Sequence, residues 1–185
     1  MILSNTEIKS ALEEKRIIID PFPLEPFDTT AVDLCLGKYV SIPKDGLSLT
    51  IVPEIGNLSK SLNCIYEDVI IDKSYNLVPG LFVLAQTRES ISLPIIPNSE
   101  GNVIAARIEG KSSLARCGLL VHFTAPTIHA GFTGKITLEM INLGKNPIQL
   151  TPGMRICQLI FEMVLNTPTP NPSQFQGQEH PAGNL

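Results

Sequence analysis

Only one stretch of this 185-residue chain carries the periodicity of an amphipathic helix. Ser4-Asn5-Thr6-Glu7 has capping-box spacing, in which Ser4 and Glu7 satisfy each other's orphan backbone donors. Ile8, Ala11 and Leu12 then recur at helical spacing until about Lys15. Beyond that point, short apolar and β-branched runs are cut by Pro, Gly, Asn and Asp. The pattern predicts strands at 16–19, 32–40, 69–71, 75–78, 81–86, 103–108, 119–123, 135–142 and 154–164, with Pro79-Gly80 and Pro152-Gly153 as turn dipeptides between strands. Many short strands at this spacing argue a mainly β chain, a sandwich or a jelly-roll-like barrel. Any second helix is short, and 112–116 is its expected place. From Asn166 the composition changes. In Thr167-Pro168-Thr169-Pro170-Asn171-Pro172 alternate residues lack an amide donor, so neither ladder nor helix can form. The expected organisation is one β-barrel domain over 1–165 and a Pro-rich tail over 166–185, either a mobile end or an arm that orders over a ligand.

A chain of this length hides roughly 70% of its unfolded surface and needs no staples. Lys and Arg number 14 against 18 Asp and Glu, a net charge of −4, which does not suit binding to nucleic acid through a general basic surface. Charged residues make up 17%, against about 25% in an average soluble domain. Too few ionic groups remain to cover a monomer, which hints at buried subunit interfaces. No apolar run approaches the ~18 residues of a membrane-crossing helix, and no basic segment followed by an apolar run opens the chain. Cys35, Cys64, Cys117 and Cys157 lie far apart beside apolar runs, so they are expected to be four small buried hydrophobes in a reducing cytoplasm.

Two segments carry chemistry. Gly110-Lys111-Ser112-Ser113 looks like the end of a phosphate-binding P-loop, but that motif needs glycine five positions before Gly110, where this chain has Ala105. What remains is a turn with two hydroxyls, an ammonium and the Arg116 guanidinium, which shares a helical face with Ser112. It is either an anion site or a capped surface turn. In the strand 135–142, Ile136, Leu138 and Met140 share one face, and Thr137, Glu139 and Ile141 the other. Glu139 is then a carboxylate on a solvated face, or one in an interfacial cleft whose apolar setting raises its pKa toward acid/base work. His122, His129 and His180 form no H-x-E and no P-C-x-x-C follows, so the zinc-dependent nucleobase deaminase signature is absent.

Taken together and in order, several segments resemble the dCTP deaminases of the dCTP deaminase/dUTPase superfamily. They are Glu109-Gly110-Lys111-Ser112-Ser113-Leu114-Ala115-Arg116, Val121-His122-Phe123-Thr124-Ala125, Gly131-Phe132-Thr133-Gly134-Lys135-Ile136-Thr137-Leu138-Glu139 and Pro152-Gly153-Met154-Arg155-Ile156-Cys157-Gln158-Leu159. Met1-Ile2-Leu3-Ser4, Ala31-Val32-Asp33-Leu34-Cys35-Leu36-Gly37, Leu77-Val78-Pro79-Gly80 and the tail Phe175-Gln176-Gly177-Gln178 extend the resemblance over most of the chain.

The resemblance implies a distorted jelly-roll-like β-barrel of the dUTPase type, a homotrimer with active sites at subunit interfaces. It implies hydrolytic deamination of dCTP to dUTP and ammonia in pyrimidine deoxynucleotide synthesis, with no zinc and with Mg²⁺ only on the substrate triphosphate. Carried over by position, Glu139 is the general acid/base. Ser112 and the carbonyl of Ala125 orient the attacking water, and Arg116 holds Ser112 and the developing charge. Lys111, Ser113 and Gln158 contact phosphates, Phe132 packs on the deoxyribose, and the tail with Gln174 and Gln178 closes over the triphosphate. Three departures stand out. Lys111 replaces an Arg of many members, which exchanges a bidentate fork for a point charge. Gln174-Phe175 replaces the Lys-Tyr of some tails. His129 stands where related sequences place Asp, and it is expected to hold the sugar hydroxyl or a phosphate oxygen without activating a water, leaving dUTP as the end product. The competing expectations are a bifunctional enzyme that goes on to dUMP, with a carboxylate such as Asp33 serving the water, and a non-catalytic nucleotide-binding regulator of the same fold.

Overall fold

The computed structural model describes residues 1–23, 27–47, 50–51, 58–171, 177 and 180–181. The chain opens with α1 (Asn5–Glu13), capped by the Ser4 hydroxyl, which accepts from the Glu7 amide, and seated by buried Ile8 and Ala11. Then come β1 (Ile18–Asp20), β2 (Val32–Pro43), α2 (Leu58–Ile65), β3 (Tyr66–Ile70), β4 (Tyr75–Leu77) and β5 (Phe82–Ser92). The second half holds β6 (Val103–Gly110), α3 (Ser112–Ala115), β7 (Leu119–Val121), β8 (Thr127–Ile128), β9 (Thr133–Asn142), β10 (Ile148–Leu150) and β11 (Arg155–Val164).

The strands are mainly one antiparallel sheet in the order β7-β9-β5-β2-β11-β6-β8, with β1 on β5, β3 on β2, and a separate β4–β10 ribbon. Register shifts in β2, β5 and β11 interrupt its ladders, and such bulges increase local twist and bend the strand. The concave side collects Val32, Leu34, Leu36, Ile136, Leu138, Met140, Ile156, Leu159 and Phe161 in one core. β9 shows the expected alternation plainly: Ile136, Leu138 and Met140 are buried, whereas Thr137, Glu139 and Ile141 are half-buried. Pro152-Gly153 turns as expected. Gly153 sits at φ +83°, a conformation glycine adopts without strain, and its amide donates to Leu36.

Three elements escaped the sequence pattern. β8 and β10 are too short to show alternation. α2 is fixed from outside, because the Lys44 ammonium donates to the Asn63 and Cys64 carbonyls at its C-terminal end. The expectation of four buried cysteines holds for Cys35 and Cys157 only; Cys64 and Cys117 are exposed. Cys64 lies in the unanticipated α2, and Cys117 follows the one-turn α3 on the surface, so neither belongs to the apolar strand that its neighbours suggested.

Candidate active site

The sequence-predicted residues fall into two groups. The first lines a cleft of about 440 Å³ and includes Lys111, Ser112, Ser113 and Gln158, with Asp28 and Glu109. Strand pairing explains the convergence: Gln158 of β11 lies opposite Glu109 of β6 and opposite Asp33 of β2. The turn after β6 therefore projects beside both partner strands. The Asp33 carboxylate contacts the Lys111 ammonium and lies 3.4 Å from Arg155 Nη1. Lys111 and Asp33 are largely covered, whereas Ser112, Ser113 and Arg116 are exposed. Arg116 meets Ser112 through the backbone, its amide donating to the Ser112 carbonyl at 3.2 Å. This cleft offers hydroxyls, an amide and two cations already partly neutralised by a carboxylate.

The second group centres on Glu139. His122, which sequence reasoning left without a role, folds over it. The His122 amide donates to the Glu139 carbonyl at 2.7 Å, and its Nδ1 lies 2.6 Å from Glu139 Oε2. The other ring nitrogen, Nε2, lies 2.8 Å from the Ala125 carbonyl. Glu139 and Ala125, predicted to face one water, are thus brought together through an imidazole between them. The curl requires φ +55° at His122, a left-handed conformation that a side chain rarely adopts. Such strain costs on the order of 1–3 kcal/mol and clusters at functional sites. A non-glycine residue in that conformation gives no pattern in the sequence, which is why the partner was missed.

Burial alone would raise the Glu139 pKa, but the contact with His122 and its charge outweigh burial and hold the carboxyl below its ordinary range. Burial likewise pulls His122 down, and Glu139 more than compensates, so the imidazole titrates above its ordinary value. Both shifts favour the ionised form of each partner, an imidazolium beside a carboxylate. Neither His122 Nδ1 nor Glu139 Oε2 has a well-aligned hydrogen-bond partner among the described residues, so the contact is mainly electrostatic.

His129 is exposed just after β8, and its carbonyl accepts from the Phe132 amide at 3.2 Å. Phe132 packs against the core, and the Gly131 amide donates to the Leu93 carbonyl, which fastens this connection to the chain just after β5. Gln174 and Gln178 lie outside the described residues. A larger apolar hollow of about 660 Å³ between α1 and β1, walled by Leu12, Ile17 and Phe22, holds none of the predicted residues. Among the described residues no hydrogen bond or ion pair joins the side chains of the cleft group to those of the Glu139 group, although α3 packs beside β7.

Comparison with known proteins agrees with this architecture. The "dCTP deaminase, dUMP-forming" of Tropheryma whipplei strain Twist is 39% identical over 192 residues, covering 100% of this chain and 92% of that protein. The protein of the same name from Coprothermobacter proteolyticus is 37% identical over 189 residues, covering 99% and 95%. That of Thermobifida fusca is 38% identical over 188 residues, covering 98% and 90%. Among solved structures, the 2'-deoxycytidine 5'-triphosphate deaminase of Agrobacterium tumefaciens shares the fold with a TM-score of 0.64 at 20% identity, over 88% of this chain and 48% of that chain. This chain thus spans about half of that structure. The dCTP deaminase-like family matches residues 2–164, the whole sheet and both residue groups, and the chain belongs to that family.

Proposed function

We propose that this protein deaminates dCTP, with Glu139 as the proton-transferring group, and carries the product on to dUMP. The observation that supports deamination best is the Glu139–His122–Ala125 arrangement. A carboxylate favoured in its ionised form beside an imidazole that also meets the Ala125 carbonyl suits a water positioned for attack on an amidine carbon. Glu139 takes one proton from the water as its oxygen bonds to C4 of cytosine, and returns that proton to N3. It then moves the second proton to the departing amine; ammonia leaves and C4 becomes a carbonyl. Ser112 orients the same water, and Arg116 offsets the developing charge. Because those two stand in the other group, the reading includes a homotrimer in which one copy supplies Glu139 and a second supplies the cleft. The low charge content supports such interfaces. The four unpaired thiols support action in a reducing cytoplasm.

The cleft bears on the form of the substrate. Asp33 contacts Lys111 and lies 3.4 Å from Arg155, while Asp28 and Glu109 line the same cleft, so its cations are partly offset before any ligand binds. Mg·dCTP, its charge partly cancelled, is the proposed substrate. Lys111, Ser113 and Gln158 take its phosphates, Phe132 its deoxyribose, His129 the sugar hydroxyl or a phosphate oxygen, and Gln174 and Gln178 the closing contacts. No zinc enters the scheme.

The second step, dUTP and water giving dUMP and pyrophosphate, replaces the sequence expectation of dUTP as end product. The shared name of the full-length relatives supports it. Asp33, the carboxylate set among the phosphate-facing cations, is the group assigned to that second water. His129 favours a second reading in which the reaction stops at dUTP, since no carboxylate stands at that position. Incubation with Mg·dCTP, followed by chromatography of nucleotides and assays of ammonia and pyrophosphate, tests both. Equal ammonia and pyrophosphate with dUMP is expected. Ammonia and dUTP without pyrophosphate would establish the second reading, and absence of ammonia would overturn both.

A further inference from the structure

The short coil that carries Ser112 and Arg116 is tied to itself and stopped from behind. The amides of Leu114, Ala115, Arg116, Cys117 and Gly118 each donate to a carbonyl three or four residues back. A push at one end is therefore passed along the coil. Its first residue, Lys111, is held by Asp33. Its far end meets the chain just after β9, where the Leu143 amide donates to the Gly118 carbonyl at 2.8 Å. There Gly118 and Gly144 lie back to back. A Cβ on Gly144 would stand 2.5 Å from the Cys117 carbonyl oxygen, closer than side-chain carbons come to such an atom, and a Cβ on Gly118 would strike the Gly144 amide nitrogen. Two residues without side chains let these backbones touch.

The stop is itself fixed. Asn142, the last residue of β9, is fully buried. Its Nδ2 donates to the Leu77 and Asn146 carbonyls, both at 2.9 Å, and its Oδ1 accepts from the Gly144 amide at 2.8 Å. A buried amide bonded at both ends holds one geometry. Asn142 follows Glu139 by three residues on the same strand. The coil with Arg116 is thus gauged, through Gly144, against the strand with Glu139, and a closed assembly repeats that spacing in every copy.

We propose that Gly144 is a positioning residue: held by Asn142, it is the stop that sets how far Ser112 and Arg116 stand from β9. Its effect on catalysis rests on the function proposed above, whereas the stop does not. Gly144→Ala tests the effect. Gly144 has no left-handed φ, so the added methyl acts by bulk alone. The Cys117 carbonyl must give way, and a shift on the order of 0.5–1 Å carried to Arg116 should lower kcat for ammonia release about 10- to 100-fold. KM for Mg·dCTP should stay within about threefold, because Asp33 still holds Lys111. Gly101→Ala controls for lost stability. Gly101 sits at φ +83° with no described atom within 4 Å of an added Cβ, outside both residue groups, so this variant should keep the wild-type kcat. A wild-type kcat in Gly144→Ala, or an equal loss in Gly101→Ala, would overturn the proposal. Amide hydrogen exchange in the wild-type protein, followed by NMR, reads the stop without a variant or an activity. The Cys117 and Gly118 amides, in a surface coil that would otherwise fray, should exchange in step with Leu143 and at least about 100-fold slower than unstructured chain. Exchange at the unstructured rate would overturn the stop. A wild-type protein that releases no ammonia would refute the proposed function, and the exchange result would still decide the stop.

Discussion

The Lys111 cleft and the Glu139 pair are built from opposite materials. The cleft takes its groups from one contiguous turn, Gly110 to Arg116, and from residues directly across two strand ladders, and most of its side chains meet water. The Glu139 pair takes its groups from two distant segments and one strained backbone, and His122 is almost wholly buried. Charges near water are screened and exchange partners readily, which suits binding a polyanion. A desolvated ion pair holds its protons where its neighbour dictates, which suits proton transfer. The difference teaches that loss of a cleft residue should weaken affinity and loss of a pair residue should stop chemistry.

The largest effect expected from that contrast is at Glu139. Glu139→Gln keeps size and one acceptor but cannot take the water's proton, so deamination should fall by roughly 10²- to 10⁴-fold while dCTP binding stays within about tenfold. Steady-state rates and calorimetric binding check the split, and a variant retaining more than about a tenth of the wild-type rate would assign the proton transfer elsewhere. His122→Gln comes next. It removes the imidazolium but leaves Glu139 in place, and kcat should fall on the order of 10- to 100-fold with KM changing little. In the cleft, Lys111→Gln should raise KM about tenfold and leave kcat within about threefold, since a largely covered cation already half-neutralised by Asp33 contributes binding of roughly 1.4 kcal/mol. A kcat collapse in Lys111→Gln would erase the distinction between the two regions.

The smallest effect is on stability. The lowered Glu139 contributes stability that is present above the ordinary carboxyl value of 4.5 and is lost as pH falls through its depressed pKa. The raised His122 contributes stability that is present below its ordinary value of 6.5 and is lost as pH rises through its elevated pKa. The pair is thus worth most between those two values. Calorimetric melting should show wild type ahead of His122→Gln by about 1–2 kcal/mol at pH 5–6.5, narrowing as pH climbs. A gap that widened with pH would contradict an imidazolium–carboxylate pair.

The same contrast decides what could be read without coordinates. Local patterns reached α1 through its Ser4 cap, β9 through its alternation, and the 110–116 turn through its run of polar side chains. Whatever depends on distant pairing stayed hidden. α2 depends on Lys44 reaching its last carbonyls. Asp33 ties Lys111 and Arg155 together across two ladders, a link that no local pattern shows. His122 was seen as a residue and not as a partner, because its role depends on a left-handed φ and on a carboxylate seventeen positions later. A histidine bracketed by apolar and aromatic residues beside a candidate acid was the one available hint.

In the function proposed above, Glu139 of one copy works with the cleft of another. Mixing subunits tests it most directly. Glu139→Gln and Ser112→Ala proteins, each nearly inactive alone, can be unfolded together at equal amounts and refolded. Random assembly then pairs an intact Glu139 with an intact Ser112 in about one quarter of the interfacial sites, because each requirement is met half the time. The mixture is expected to deaminate dCTP at near one quarter of the wild-type rate. A mixture that forms the same oligomer yet stays as inactive as its parents would show that both groups serve a site within one chain, and would contradict the account.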